Sequence, residues 1–131
     1  MKTLHVRSSR PVEMIDISAD VCKAIRETAI TDGLAVVFTP HTTAAITINE
    51  NADPDVCHDL MMAINKIVPL QDGYRHLEGN SAAHLKSSLF GASETLIISN
   101  GEVILGTWQG IYFCEFDGPR QRQVQIQVIS Q

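Results

Sequence analysis

The sequence predicts an α+β fold built as one domain over residues 1–131, and three observations carry that prediction. Short runs of alternating or continuous apolar residues recur as strands do, while two to three segments place apolar residues at helical spacing. The C-terminal third reads as β throughout. A chain of 131 residues suits one domain able to bury roughly two-thirds of its unfolded surface.

Leu4 and Val6 alternate with His5 and Arg7, and Val12, Met14 and Ile17 continue the pattern after Ser9-Arg10-Pro11, so two opening strands joined as a hairpin are expected. Ser18 is placed to cap a helix carrying Val21, Ala24, Ile25 and Thr28, with Gly33 as its stop. Leu34–Thr39 follows as a short buried strand, with Ala44–Ile48 as its antiparallel neighbour. Asp53-Pro54 supplies an N-cap and an N1 proline for a second helix with Val56, Leu60, Met61, Ile64 and Ile67 on its apolar face, ending before Pro69. Residues 71–79 form a loop. Asn80 or Ser81 then caps a short helix with Ala82, Leu85 and Leu89, which Gly91 ends. Thr95–Ile98 and Val103–Leu105 flank Asn100-Gly101, the pair best suited to the positive φ of a type I′ hairpin. Ile111–Phe116 turns at Asp117-Gly118-Pro119 into a last strand, where Val124, Ile126 and Val128 alternate with glutamines.

A net charge of −5 argues against nucleic acid as a partner, because backbone binding needs clustered Lys and Arg to release counterions. No apolar run approaches the ~18 residues of a membrane span. The opening Met1–Arg7 alternates where a signal peptide would be continuously apolar. Cys22, Cys57 and Cys114 are odd in number and form no CxxC pair, so free thiols in a reducing, cytoplasmic setting are expected.

Three segments concentrate polar chemistry. Tyr74–His84 holds His76, His84, Glu78, Asn80, Arg75 and Ser81 within eleven residues. His41-Thr42-Thr43 and Asn49-Glu50-Asn51 bracket a strand, and Gly106-Thr107-Trp108-Gln109-Gly110 carries the only tryptophan. The expectation is that all three meet in one pocket. His41, His76 and His84 each have neighbours able to orient an imidazole, so they are candidate ligands for a divalent metal ion, Zn or Mg, with a carboxylate completing or supporting the set. Their spacing matches no compact zinc signature. An equally open reading has these histidines and Arg75 hold a phosphate-like anion at the helix start near Asn80-Ser81. Trp108 offers a flat face for a ring and Gln109 donors and acceptors, although a kinked strand with a core tryptophan explains the same glycines. There is no GxSxG, and Cys114 lies in an apolar run where burial raises a thiol pKa, which disfavours covalent catalysis.

His41-Thr42-Thr43-Ala44-Ala45, Asn49–Asp55, Tyr74-Arg75-His76 with Glu78-Gly79-Asn80, His84 with Lys86-Ser87-Ser88, Leu105–Ile111 and Glu115–Arg120 together resemble the YjbQ family over nearly the whole chain. The resemblance implies an α+β fold with a large mixed, mostly antiparallel sheet packed with two to three helices, a homotrimer, and sites near subunit boundaries. It also implies a thiamine-phosphate synthase activity, a transferase that joins hydroxymethylpyrimidine diphosphate to thiazole phosphate and releases pyrophosphate. His41, Glu50, His76, Glu78 and His84 are then the catalytic candidates. Thr42, Asn49, Arg75, Asn80, Lys86, Thr107, Trp108, Gln109 and Arg120 are candidates for holding a phosphorylated small molecule. Two alternatives stand beside it: a metal-dependent hydrolase using Glu50 or Glu78 as base, and a trimeric small-molecule binder without turnover.

Overall fold

A computed structural model describes residues 1–131. The elements run β1 (Lys2–Arg7), β2 (Glu13–Asp16), α1 (Ser18–Arg26), β3 (Gly33–Phe38), β4 (Ala44–Glu50), α2 (Pro54–Ile67), α3 (Ser81–Phe90), β5 (Ser93–Ser99), β6 (Glu102–Val103), β7 (Gln109–Glu115) and β8 (Gln121–Ser130). The α+β class holds. The strands divide between a five-stranded sheet, ordered β1-β8-β3-β5-β6, and a three-stranded sheet, ordered β2-β7-β4. Every pairing is antiparallel.

The two sheets face each other across the main core. Val37, Leu96, Ile98, Val124 and Ile126 of the larger sheet meet Ile46, Ile111 and Phe113 of the smaller, and Val21 and Ile25 of α1 pack into the same cluster. The other face of the smaller sheet presents Tyr112 and Cys114 to a second cluster that includes Ala83 of α3 and Met61 of α2. A three-layer arrangement results, large sheet, small sheet and helices, in which both faces of β7 are covered. Burial pushes the Cys114 thiol well above the ordinary range, as expected for an inert structural cysteine.

Several elements form as the sequence predicts. Asp53 caps α2 through its side chain, which accepts from the Asp55 N–H at 2.9 Å, with Pro54 at the first helical position. Asn100 and Gly101 take φ of 53° and 78° and close the β5–β6 hairpin. Gly91 ends α3 at φ 96°.

Other expectations are corrected. β1 and β2 form no hairpin, because residues 8–11 cross from the larger sheet to the smaller one beside residues 117–120, with Ser8 N–H on Arg120 O and Gly118 N–H on Pro11 O. β3 and β4 are likewise in different sheets, since residues 39–43 cross at the same corner. Ser18 does not cap α1; its hydroxyl accepts from the Ile111 N–H at 2.8 Å. Gly33 is not a helix stop but the first residue of β3. In α3 the leucines point outward, Leu85 and Leu89 being exposed, while Ala82, Ala83, Lys86 and Ser87 face inward. Small side chains let α3 approach β4 closely enough for the Ser87 hydroxyl to donate to Ala44 O at 2.6 Å.

A buried ion pair ties the crossover corner together. Glu115 and Arg122 lie on the inward faces of β7 and β8, both almost fully buried. Arg122 donates to both carboxylate oxygens and to the Thr43 hydroxyl, while the Ser8 hydroxyl and the Asp117 N–H also donate to Glu115. Burial alone would raise the Glu115 pKa, but these donors outweigh it and hold the carboxyl below its ordinary value. Thr43 and Glu115 lie in segments the sequence singled out, but Ser8 and Arg122 do not, and none of the four was assigned this role. The available signals were a glutamate inside the apolar run Ile111–Phe116 and an arginine in phase with Val124 and Ile126.

Candidate functional site

The loop before α3 and its first two turns form a hollow of about 400 Å³ lined by Tyr74, Arg75, His76, Ser81, His84 and Leu85. Tyr74 anchors the loop by donating to Pro69 O at 2.6 Å. His76 from the loop and His84 from the helix then meet edge to face, with ring centroids 5.4 Å apart. Sequence neighbours thus become spatial ones because loop and helix are contiguous.

Asn80 occupies the N-cap position of α3 but does not cap it. Its amide nitrogen donates instead to Asp117 at 2.9 Å, and Asp117 also accepts from Arg120 at 2.9 Å. Two features follow at the helix start: first-turn N–H groups without a side-chain cap, and a buried Asn80 Oδ1 with no hydrogen-bond partner. An uncapped helix start favours an anion, and Arg75 lines the same hollow. A buried acceptor left alone costs on the order of 1–3 kcal/mol, and Asn80 is not among the residues that line the hollow.

The remaining candidates lie elsewhere. His41 is half-buried at the crossover corner, where its Nε2 accepts from the Gln123 N–H at 2.9 Å. It takes the β8 amide that β3 leaves free beyond Phe38, so the imidazole completes a ladder. Burial, aided by the charge of Arg122, lowers the His41 pKa and keeps it neutral for that role. His41 does not line the hollow with His76 and His84. No group of three His, Cys, Asp or Glu side chains able to share a metal ion forms in the chain, so the three-histidine metal set does not fit the residues as placed. Thr42 is exposed, whereas Thr43 is buried on Arg122.

Glu50, Asn49, Thr107, Trp108 and Gln109 gather around the far end of β4, where Glu50 pairs with Gln109. From Ala44, which holds α3, to Glu50 is six strand steps, roughly 20 Å. That length keeps Trp108 out of the histidine hollow. The indole is 62% exposed on a turn, so it is not a core residue either. Gln109 Oε1 accepts from the Gly106 N–H at 2.7 Å and Asn49 Oδ1 from the Glu50 N–H at 2.7 Å, both local turn contacts. Glu78 is exposed on the loop.

Lys86 is 5% exposed, with the Asn65 amide oxygen at 2.5 Å from its Nζ and the Phe116 ring centroid at 5.9 Å. Burial lowers its pKa. It supports the α2–α3 packing and does not line the hollow.

Comparisons with known proteins fit this structure. The family described as UPF0047 protein YjbQ-like matches residues 2–131. The UPF0047 protein YugU of Bacillus subtilis is 53% identical over 131 residues, covering 99% of each chain. A UPF0047 protein of Methanocaldococcus jannaschii is 50% identical, over 96% of this chain and 91% of that one. Among solved structures, an uncharacterized conserved protein of the same family from Clostridium acetobutylicum superposes with a TM-score of 0.97 at 53% identity, covering 98% of this chain and 100% of that one. A Sulfolobus solfataricus protein of unknown function gives a TM-score of 0.96 at 28% identity, covering 99% and 96%. These names carry no thiamine-phosphate synthase activity, and the activity implied by the sequence resemblance is therefore withdrawn. The chain belongs to the UPF0047, YjbQ-like family.

Proposed function

We propose that the hollow at the start of α3 binds a small organic molecule bearing a phosphate or carboxylate, and that His76 and His84 move a proton on it. The observation that carries this reading is the edge-to-face histidine pair in a hollow shared with Arg75 and Ser81. Imidazoles exchange protons near neutral pH, and an arginine and an uncapped helix start favour an anion.

Incubation of the protein in D2O with a pool of phosphorylated and carboxylated metabolites, followed by mass spectrometry, tests it. At least one compound is expected to gain deuterium or be consumed, and His84→Gln is expected to slow that change by roughly 10²- to 10⁴-fold. Equal rates with His84→Gln, or no change in any compound with the native chain, count against proton transfer at this site.

The assembly proposed is a homotrimer, in a cytoplasmic setting. Support for self-association comes from the outer face of the larger sheet, where Leu34 lies in register between Ile97 and Ile129, exposed by 44%, 59% and 56%. Ile104 extends this apolar row through its N–H on Ile97 O. Such a row on an open sheet face suits contact with another copy. Light scattering is expected to give three times the 14.4 kDa of the chain, and a monomer at micromolar concentration refutes the assembly.

A further inference from the structure

We infer that the crossover corner carries a second anion site, separate from the histidine hollow, which receives a phosphate group between Arg7 and Arg120. Residues Arg7, Ser8, Ser9, Pro119, Arg120 and Gln121 enclose about 540 Å³ with no hydrophobic residue among them. In a chain of net charge −5, two of the six residues lining this hollow are arginines.

The two arginines are placed by the fold. Arg7 ends β1 directly opposite Gln121 of β8. Arg120 precedes β8, and its backbone is clamped to Ser8 twice, with the Ser8 N–H on Arg120 O at 3.0 Å and the Arg120 N–H on Ser8 Oγ at 2.8 Å. The Arg120 side chain is fixed as well, since Nε donates to Asp117 O at 2.8 Å and Nη2 to Asp117 Oδ2 at 2.9 Å. Its orientation is therefore set before a ligand arrives, while the rest of the guanidinium keeps free N–H groups. The neighbouring turn packs closely enough to require glycine, since a Cβ on Gly118 would lie 2.4 Å from Arg10 O.

Charge balance favours an anion. Asp117 offsets Arg120, but Arg7 makes no ion pair. Glu13, the nearby acid, is engaged by Ser9 through both its N–H at 2.9 Å and its hydroxyl at 3.0 Å. Glu115 is neutralised by Arg122. A phosphate oxyanion matches the planar donor edges of two arginines and brings the charge that Arg7 lacks.

The test is a titration of the full ¹⁵N-labelled chain with inorganic phosphate and, separately, with glycerol phosphate, at constant ionic strength. Saturable shifts are expected at the amides of Ser9, Arg120 and Gln121. Tighter binding of glycerol phosphate assigns the site to phosphorylated organic molecules, and equal binding assigns it to free phosphate. Arg7→Gln, an exposed change, is expected to weaken binding roughly 10- to 100-fold without altering the melting temperature, whereas Arg26→Gln on α1 leaves it unchanged. The site is refuted by the absence of saturable shifts up to roughly 20 mM of either probe. Unchanged affinity in Arg7→Gln, or shifts confined to α3, refutes it equally. Because the readout is confined to the crossover corner, its failure leaves the histidine hollow unaffected.

Discussion

Arg122→Met is expected to cost about 3–5 kcal/mol of stability at pH 7, because it strands the buried Glu115 carboxylate without its counter-charge. The pH dependence gives the cause. In the native chain the Glu115 pKa is held below its ordinary 4.5, so its contribution is full above about that value and is lost as pH falls through the depressed one. In Arg122→Met burial is no longer opposed by the arginine, and the carboxyl pKa moves up. Stability of the variant then rises on acidification from pH 7 toward pH 5, opposite in sign to the native chain at lower pH. Urea unfolding of both proteins at pH 7 and pH 5 measures this. A loss in Arg122→Met that is independent of pH would mean that lost packing, not the stranded carboxylate, is responsible.

Phe113→Ala is expected to cost a comparable 3–5 kcal/mol, the range for emptying a large aromatic position in a core. Phe113 lies on the middle strand of the smaller sheet, in register with Ile15 and Ile46, and is fully buried against the larger sheet. Flanking strands on both sides limit how far the site can collapse, which places the loss toward the upper end. Phe113→Leu keeps most of the volume and is expected to lose less than half as much. Calorimetric melting of both variants checks the order, and equal losses would point to ring-specific contacts instead of volume.

Local structure was legible wherever one residue type had one physical use. Asp53-Pro54 marked the start of α2 because a capping carboxylate and a ring with fixed φ suit those two positions. Asn100-Gly101 marked the β5–β6 hairpin because few residues accept positive φ in succession. The partition into two sheets was not legible, since alternation tells which face of a strand is apolar and not which strand it pairs with. The orientation of α3 was misread for a related reason: Leu85 and Leu89 look like core residues, but close approach to β4 selects Ala83 and Ser87 for the interface. The histidine pair was accessible because His76 and His84 sit on adjoining segments. That His41 and Trp108 lie outside the hollow is told only by the strand pairing, which sets Trp108 at the far end of β4.

The covering of the smaller sheet is uneven in a way that bears on motion. Six successive residues of β7, Gly110–Glu115, are buried, whereas α2 buries only Ile64 fully over its fourteen residues. Opening free energies follow buried contact, so the sandwich and the helical layer have different thresholds for fluctuation. α2 is therefore expected to open before the sandwich, whereas α3 is held down by Ala82, Ala83, Lys86 and Ser87 and by the Ser87 bond to Ala44 O. The amides of α2 are accordingly expected to exchange with solvent sooner than those of β7, and hydrogen exchange at equal rates in the two elements would refute the difference.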